Sequence, residues 1–316
     1  MRKGIFSFVV AATLAMTGLA FAEDKPVTIG VSIPAADHGW TSGVVYHANR
    51  VAAVLMAQHP GLKIIVKTSP DAASQANALQ DLETQGIDAL VILPSDPDPL
   101  VNSIKEIKSK GTFVTIVDRA PSVNDNSVRD LYIAGNNFAL GETAGIYIKT
   151  NTPDAKVVVV RGLPIPIDQT RQDGFDKAVT GSGVKVLDRQ FGNWNRDDAF
   201  KVMQDFLTKY SSIDVVWCQD DDMAVGVLQA IEQSGRKDIK YVVAGAGSKD
   251  MIKKVMDGDK MIPVDVLYPP AMVGTALELT VANFYGQVPV RGTLTLDATL
   301  INKDNAAAYY FPDSPF

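Results

Sequence analysis

The chain has 316 residues, 46% of them hydrophobic and 21% charged, which fits an ordinary globular protein and excludes a collagenous or disordered one. With 30 basic residues against 36 acidic the net charge is −6, which argues against non-specific nucleic-acid binding, since that needs clustered Lys and Arg to neutralise phosphates. Cys218 is the single cysteine, so neither an intrachain disulfide nor a zinc site built on two or more cysteines can form. At this length one core is near its limit, and two domains are expected.

Arg2 and Lys3 precede an apolar run from Ile5 to Leu19 and the ending Ala20-Phe21-Ala22, the pattern of a secretory signal cleaved after Ala22. The run falls short of the ~20 apolar residues of a membrane span, and no Cys follows it to carry a lipid. Residues 1–22 are therefore read as an export signal.

From Val27 onward, strand-like and helix-like segments alternate. Val27–Ile33, Ile64–Val66, Ala89–Leu93 and Phe113–Val117 are apolar on both faces, as buried parallel strands must be. Between them, Trp40–Gln58 places Val44, Ala48, Val51 and Leu55 on one helical face, and Ala76, Leu79 and Leu82 repeat the period after Asp71. Leu100, Ile104 and Ile107 do so after a Pro-rich turn, and Gly86 and Gly111 stand where these helices should end. A second series follows, with strands expected at Val157–Val160, Val184–Leu187, Val215–Trp217, Tyr241–Val243 and Val264–Val266. Its helices are expected at Leu140–Lys149, Gln169–Thr180, Asp197–Lys209, Met223–Ser234 and Ser248–Gly258. Two such series joined near Leu131–Asn137 predict two doubly wound α/β lobes, each on a parallel sheet. A helix at Ala271–Tyr285 and a tail strand at Thr295–Leu300 would let the chain recross between them.

Ligands of doubly wound sheets sit at the carboxyl ends of the strands. After the first strand come Asp37, His38, Trp40 and Thr41; Asp37 can be a helix cap and Trp40 a core residue, or both can face a ligand. After the fourth come Asp118 and Arg119, which can equally be a local ion pair. The second series adds Asp168, Gln169 and Arg171, then Asn193 to Arg196, then Asp220-Asp221-Asp222, one of which is expected to cap the following helix. Two Trp, several carboxylates, amides and Arg around one cleft suit a polyhydroxylated ligand. Aromatic faces pack on C–H surfaces, while planar polar groups take paired hydroxyls.

In Thr28-Ile29-Gly30-Val31, Asp81-Leu82, Gly86-Ile87-Asp88-Ala89, Val117-Asp118-Arg119, Arg171-x-x-Gly174-Phe175 and Asp221-Asp222-Met223-Ala224-x-Gly226, the chain resembles the periplasmic sugar-binding proteins of ABC transporters, in the ribose-binding-like (type I) branch. The likeness covers essentially the whole chain after residue 22. It implies two doubly wound parallel-sheet lobes joined by a three-stranded hinge. Lobe 1 would be residues 23–135 and 268–295, lobe 2 residues 136–267 and 296–316, with hinges near Gly135, Leu267 and Thr295. Carried over position by position, the ligand contacts would be His38, Trp40, Thr41, Asp118, Arg119, Asn136 or Asn137, Gln169, Trp194, Asp220 and Tyr268, with Asp265 the alternative to Tyr268. The family's Gly-Phe-Asp after the strand at Tyr241–Val243 is here Ala244-Gly245-Ala246, and an Arg is replaced at Gln169. These departures point away from D-ribose and toward another pentose, a hexose or an open-chain polyol.

The resemblance further implies a monomer in the periplasm that closes on a monosaccharide or sugar alcohol and docks on the membrane permease of an ABC importer. A chemoreceptor or sensor kinase is the alternative partner. No cofactor, metal or nucleic acid is implied. An enzyme is disfavoured because no HExxH, G-x-S-x-G or P-loop occurs, and a regulator because no helix-turn-helix precedes the lobes. Asp220-Asp221-Asp222 lacks the pattern of a calcium loop. Of the histidines outside the opening loop, His47 is expected on a solvated helical face and His59 in a loop.

Overall fold

A computed structural model describes residues 25–36, 39–286 and 289–316. The export signal and His38 lie outside the described residues. Five parallel strands with three intervening helices open the fold: β1 (Val27–Pro34), α1 (Gly39–Gln58), β2 (Leu62–Ser69), α2 (Ala72–Thr84), β3 (Ala89–Ile92), α3 (Val101–Ser109), β4 (Phe113–Val117) and β5 (Leu131–Gly135). Helix α4 (Asn137–Asn151) then leads to β6 (Lys156–Arg161), α5 (Pro166–Val179), β7 (Lys185–Phe191), α6 (Arg196–Lys209), β8 (Val215–Cys218), α7 (Asp221–Ser234), β9 (Tyr241–Val243) and α8 (Lys249–Asp257). The chain ends with β10 (Asp265–Val266), α9 (Met272–Tyr285), β11 (Gly292–Leu296) and β12 (Leu300–Ile301).

The strands form a six-stranded parallel sheet in the order β11-β5-β4-β3-β1-β2 and a four-stranded parallel sheet in the order β7-β6-β8-β9. Both are doubly wound, with the order reversing beside β1 in the first and beside β6 in the second, where a crevice opens at the carboxyl ends. Central strands β3, β4 and β8 are buried at every residue, as their unbroken apolar runs require. The edge strands β7 and β11 carry exposed polar side chains, which blunts pairing with another chain.

Three differences from the sequence reading have physical causes. Leu131–Gly135 is a strand of the first sheet rather than only a joint, because its apolar residues pair with β4 on one side and β11 on the other. The tail strand is two strands: β11 adds to the first sheet, and β12 pairs antiparallel with β10 outside the second sheet. His47 is buried rather than solvated, since Pro269, Pro270 and Phe316 line the same crevice against that turn of α1; burial lowers its pKa. Gly86 and Gly111 do follow α2 and α3, with left-handed φ of 70° and 90°.

The chain passes between the sheets three times: from β5 to α4, from β10 to α9, and from β11 to β12. In the second lobe the helices are locked in pairs by missing side chains. A Cβ on Gly174 of α5 would collide with the Phe138 carbonyl of α4, and one on Gly226 of α7 with the Arg196 carbonyl of α6. Phe175, beside Gly174, stacks on fully buried Trp217 with ring centroids 4.3 Å apart and 7° between planes. Two of the sequence patterns thus have packing reasons. In an exposed helix Gly→Ala gains ~1 kcal/mol. Here, overpacking makes Gly174→Ala and Gly226→Ala destabilising by about 1–3 kcal/mol. Urea unfolding checks the sign; an unchanged or raised midpoint would contradict the packing.

Candidate ligand-binding cleft

The carboxyl ends of both sheets face one cleft. Trp40, Asp118 and Arg119 line it from the first lobe, and Ile167, Arg171, Trp194, Asp220 and Ala246 from the second. Tyr268, on the second crossing, closes its floor. Past Arg119 and Trp194 the cleft widens into a mouth of about 870 Å³ that Thr41, Ser95, Asp96 and Asn193 border.

A chain of hydrogen bonds fixes the floor. Arg171 Nε donates to Asn137 Oδ1 at 2.8 Å, Asn137 Nδ2 to the Tyr268 hydroxyl at 3.0 Å, and that hydroxyl to Asp118 Oδ1. Arg171 also donates to the Gln219 carbonyl at 2.7 Å, and its guanidinium lies 4.5 Å over the Tyr268 ring. The Trp40 indole donates to the Tyr268 carbonyl at 2.9 Å. A Cβ on Gly135, at the first crossing, would strike the Tyr268 ring. Burial, and then the Asp118 carboxylate, push the Tyr268 phenol well above its ordinary pKa, so it stays a donor.

The cleft also concentrates backbone strain. Among the described residues, the non-glycine positions with φ between 20° and 160° are Asp118 (60°), Asn193 (57°), Trp194 (53°) and Ala246 (136°), and all border the cleft or its mouth. Such conformations cost of order 1–3 kcal/mol each and persist where function needs the geometry. Buried Trp194 Nε1 and Arg119 Nε make no hydrogen bond within the protein, although Arg119 Nε lies 3.8 Å from Asp118 Oδ2 in an ion pair. A buried donor without a partner costs about 1–3 kcal/mol, and a ligand oxygen can relieve it.

The three consecutive Asp have three jobs. Asp220 caps α7, its Oδ1 accepting from the N–H of Asp222 at 2.8 Å and Met223 at 3.2 Å, while its side chain reaches the cleft. Asp221 Oδ2 accepts from Ser248 N–H at 2.6 Å, tying α7 to the start of α8, and shares its buried surroundings with Asp265. Asp222 reaches Gly39 of the first lobe, its Oδ2 accepting that N–H at 2.9 Å.

The remaining expected residues are distributed differently. Thr41 is buried and borders the mouth. Asn136 caps α4, accepting from Ala139 N–H at 2.9 Å, and Asn137 is a tether below the cleft. Gln169 is exposed on α5: its Oε1 accepts from Arg161 and its Nε2 donates to Asp173 one turn on, which holds it away from the cleft. The α5 residues that do face the cleft are Ile167 and Arg171. They stand four apart on one helical face, opposite Gln169, so the 3.6-residue period together with Gly174-Phe175 carries that signal. Gly135 ends β5, Leu267 forms a bridge with Ala246, and Thr295 lies inside β11 opposite Ala134, one residue before that strand ends. Among the described residues, no three His, Cys, Asp or Glu are grouped to hold a metal, and no helix is long and apolar enough to cross a membrane.

Burial, followed by the charges of Asp221 and Asp222, raises the pKa of Asp220 to about 8. The sign follows from linkage. A carboxyl with a raised folded-state pKa contributes its full stability below the ordinary carboxylate pKa and loses it as pH rises through about 8. The ligand-free protein should therefore melt at lower temperature at pH 9 than at pH 6. Asp220→Asn keeps a capping oxygen but cannot ionise, and should flatten that fall by on the order of 5 °C. Thermal unfolding of both proteins across pH 5–9 checks this; parallel profiles would refute the assignment.

A family model described as the periplasmic binding protein domain matches residues 29–283. The chain is 28% identical over 311 residues, 94% of each chain, to the galactofuranose-binding protein YtfQ of Escherichia coli. It is 30% identical over 221 residues to the ribose import binding protein RbsB of Bacillus subtilis, covering 69% of this chain and 70% of that one. The crystal structure of a galactofuranose-binding protein superposes with a TM-score of 0.78 at 25% identity, over 90% of this chain and 97% of the other. The two doubly wound lobes, their three crossings and the match over most of the sequence agree: the chain belongs to the periplasmic binding protein family, with the type I fold.

Proposed function

We propose that the protein is a periplasmic solute-binding protein that captures one monosaccharide or sugar alcohol between its lobes and delivers it to an ABC importer. The observation that carries this is the cleft wall itself: two Trp, two Arg and two Asp converge there on strand ends of both lobes. Its relatives are named for binding galactofuranose and ribose, and are binding proteins rather than enzymes; this chain binds without turnover. Asp118, Arg119 and Arg171 take hydroxyls through charge-assisted hydrogen bonds, each worth about 1.5–3 kcal/mol, and Asp220, kept neutral by its burial, adds an uncharged one. Trp40 and Trp194 cover the C–H faces. Thr41 belongs to the mouth, Asn136 caps α4, and Asn137 and Tyr268 support the floor. Gln169 becomes a contact only if closure turns it inward.

In this reading residues 1–22 are removed after Ala22, and the mature chain works as a monomer. The lobes are residues 23–135 with 268–295, and 136–267 with 296–316. They swing about Gly135, Leu267 and the segment after Thr295.

A thermal-shift panel of D-galactose, L-arabinose, D-ribose, D-fructose, xylitol and myo-inositol tests the reading, because a ligand that binds only the folded state raises its melting temperature. At least one member should do so by several degrees, and D-ribose should not be the strongest, given Ala246 and Gln169. Calorimetry with that member should then show Asp118→Ala and Trp194→Ala weakening binding by tenfold or more. A panel without a shift, or variants with wild-type affinity, would overturn the assignment.

A further inference from the structure

Beside the cleft, and outside its lining, a direct contact joins the two lobes. Asp222 stands in the first turn of α7, in the lobe of the second sheet. Its Oδ2 accepts the N–H of Gly39, the first residue of α1 in the other lobe, at 2.9 Å. Its Oδ1 accepts from Arg196 at 2.9 Å, which orients the carboxylate. The side chain is 17% exposed, so salt screens it less than a surface pair. An anion here faces the positive end of a 20-residue helix belonging to the opposite lobe. Asp222 is not the cap of its own helix, because Asp220 fills that role.

The tail of the chain packs against the same turn. The Phe316 ring lies 2.9 Å from where a Cβ on Gly39 would stand, and Asp222 Cγ lies 3.3 Å from it. Phe316 is buried, and Lys249 of α8 holds the tail by donating to the Ser314 carbonyl at 2.6 Å. The first turn of α1 is therefore gripped by second-lobe groups, a carboxylate and a ring, and the absent side chain of Gly39 is what lets them approach.

We propose that Asp222 is a positioning residue for ligand capture: it latches α1 to the second lobe and so sets how often the empty protein occupies its closed, binding-competent arrangement. The effect on affinity rests on the sugar-capture reading above; the effect on the shape of the empty protein does not. Apparent affinity scales with the fraction of molecules that are competent, so a tenfold drop in closed population weakens binding about tenfold without any ligand contact being altered.

The test compares wild type with Asp222→Ala, which removes the latch, and Gly39→Ala, which leaves all three Asp intact and wedges the lobes apart. Asp222→Asn serves as the milder variant should Asp222→Ala fold poorly, and exposed Lys201→Ala is the control. Small-angle X-ray scattering of the ligand-free proteins should give a larger radius of gyration for the latch and wedge variants, with Lys201→Ala at the wild-type value. Tryptophan fluorescence titrations with D-galactose, L-arabinose and D-ribose should show binding weakened on the order of tenfold in the same variants. Radii unchanged from wild type, whether or not affinity falls, would overturn the latch. Separated radii with no sugar bound by the wild type would sustain the latch and sink the sugar reading instead.

Discussion

The cleft depends on the satisfaction of one buried hydroxyl. Tyr268 sits on the second crossing with 2% of its surface exposed, where an unpaired phenol would cost more than most single contacts return. Its hydroxyl is met from both sides, donating to Asp118 of the first lobe and accepting from Asn137 at the start of α4. Through Asn137 the chain of bonds reaches Arg171, and through the Tyr268 carbonyl it reaches Trp40. Removing any member leaves another buried polar atom without a partner, so the wall residues are held by the protein before a ligand arrives. Hydrogen bonds of this kind polarise one another in a low-dielectric interior, which favours a network over isolated pairs.

That network runs from Asp118 beside the first sheet through Tyr268 on the second crossing to Asn137 and Arg171 beside the second, so it preorganises wall groups on both sides of the cleft. Gly174 and Gly226 let the second lobe's helices pack backbone to backbone, so α5 and α7 deliver Arg171 and Asp220 from rigid supports. In the first lobe, Asp118 takes a left-handed conformation, its N–H bonded to Ile133 and its carbonyl to the Tyr132 hydroxyl at 2.7 Å. The strain gathered at the cleft is thus opposed by bonds one layer beneath it.

Much of this was legible in the sequence because its physical signals are local. Uninterrupted Val and Ile runs named the central strands, and Trp40–Gln58 declared its inward face by period alone. The edge and crossing strands were harder. Leu131–Gly135 has the same composition as a joint, and β10 and β12, two residues each, hold too few side chains to show a pattern. The strand ends pointed to the cleft wall at Trp40, Asp118, Arg119, Arg171, Trp194 and Asp220, and the family resemblance pointed to Tyr268. Gln169 was drawn outward by Arg161 and Asp173, an interaction with no sequence signature beyond a favourable spacing. The Asp triplet shows the limit most clearly. One capping residue could be expected, but that its neighbours reach Ser248 and the other lobe's Gly39 depends on tertiary placement.

The central claim is that a sugar lies between the lobes on the residues that line this cleft. A crystal structure of the complex with the sugar giving the largest thermal shift tests it most directly. The account predicts a single sugar within hydrogen-bond distance of Asp118, Arg119, Arg171 and Asp220, its C–H surface against Trp40 or Trp194. A sugar bound elsewhere on the molecule, or in the cleft without contact to these side chains, would contradict it.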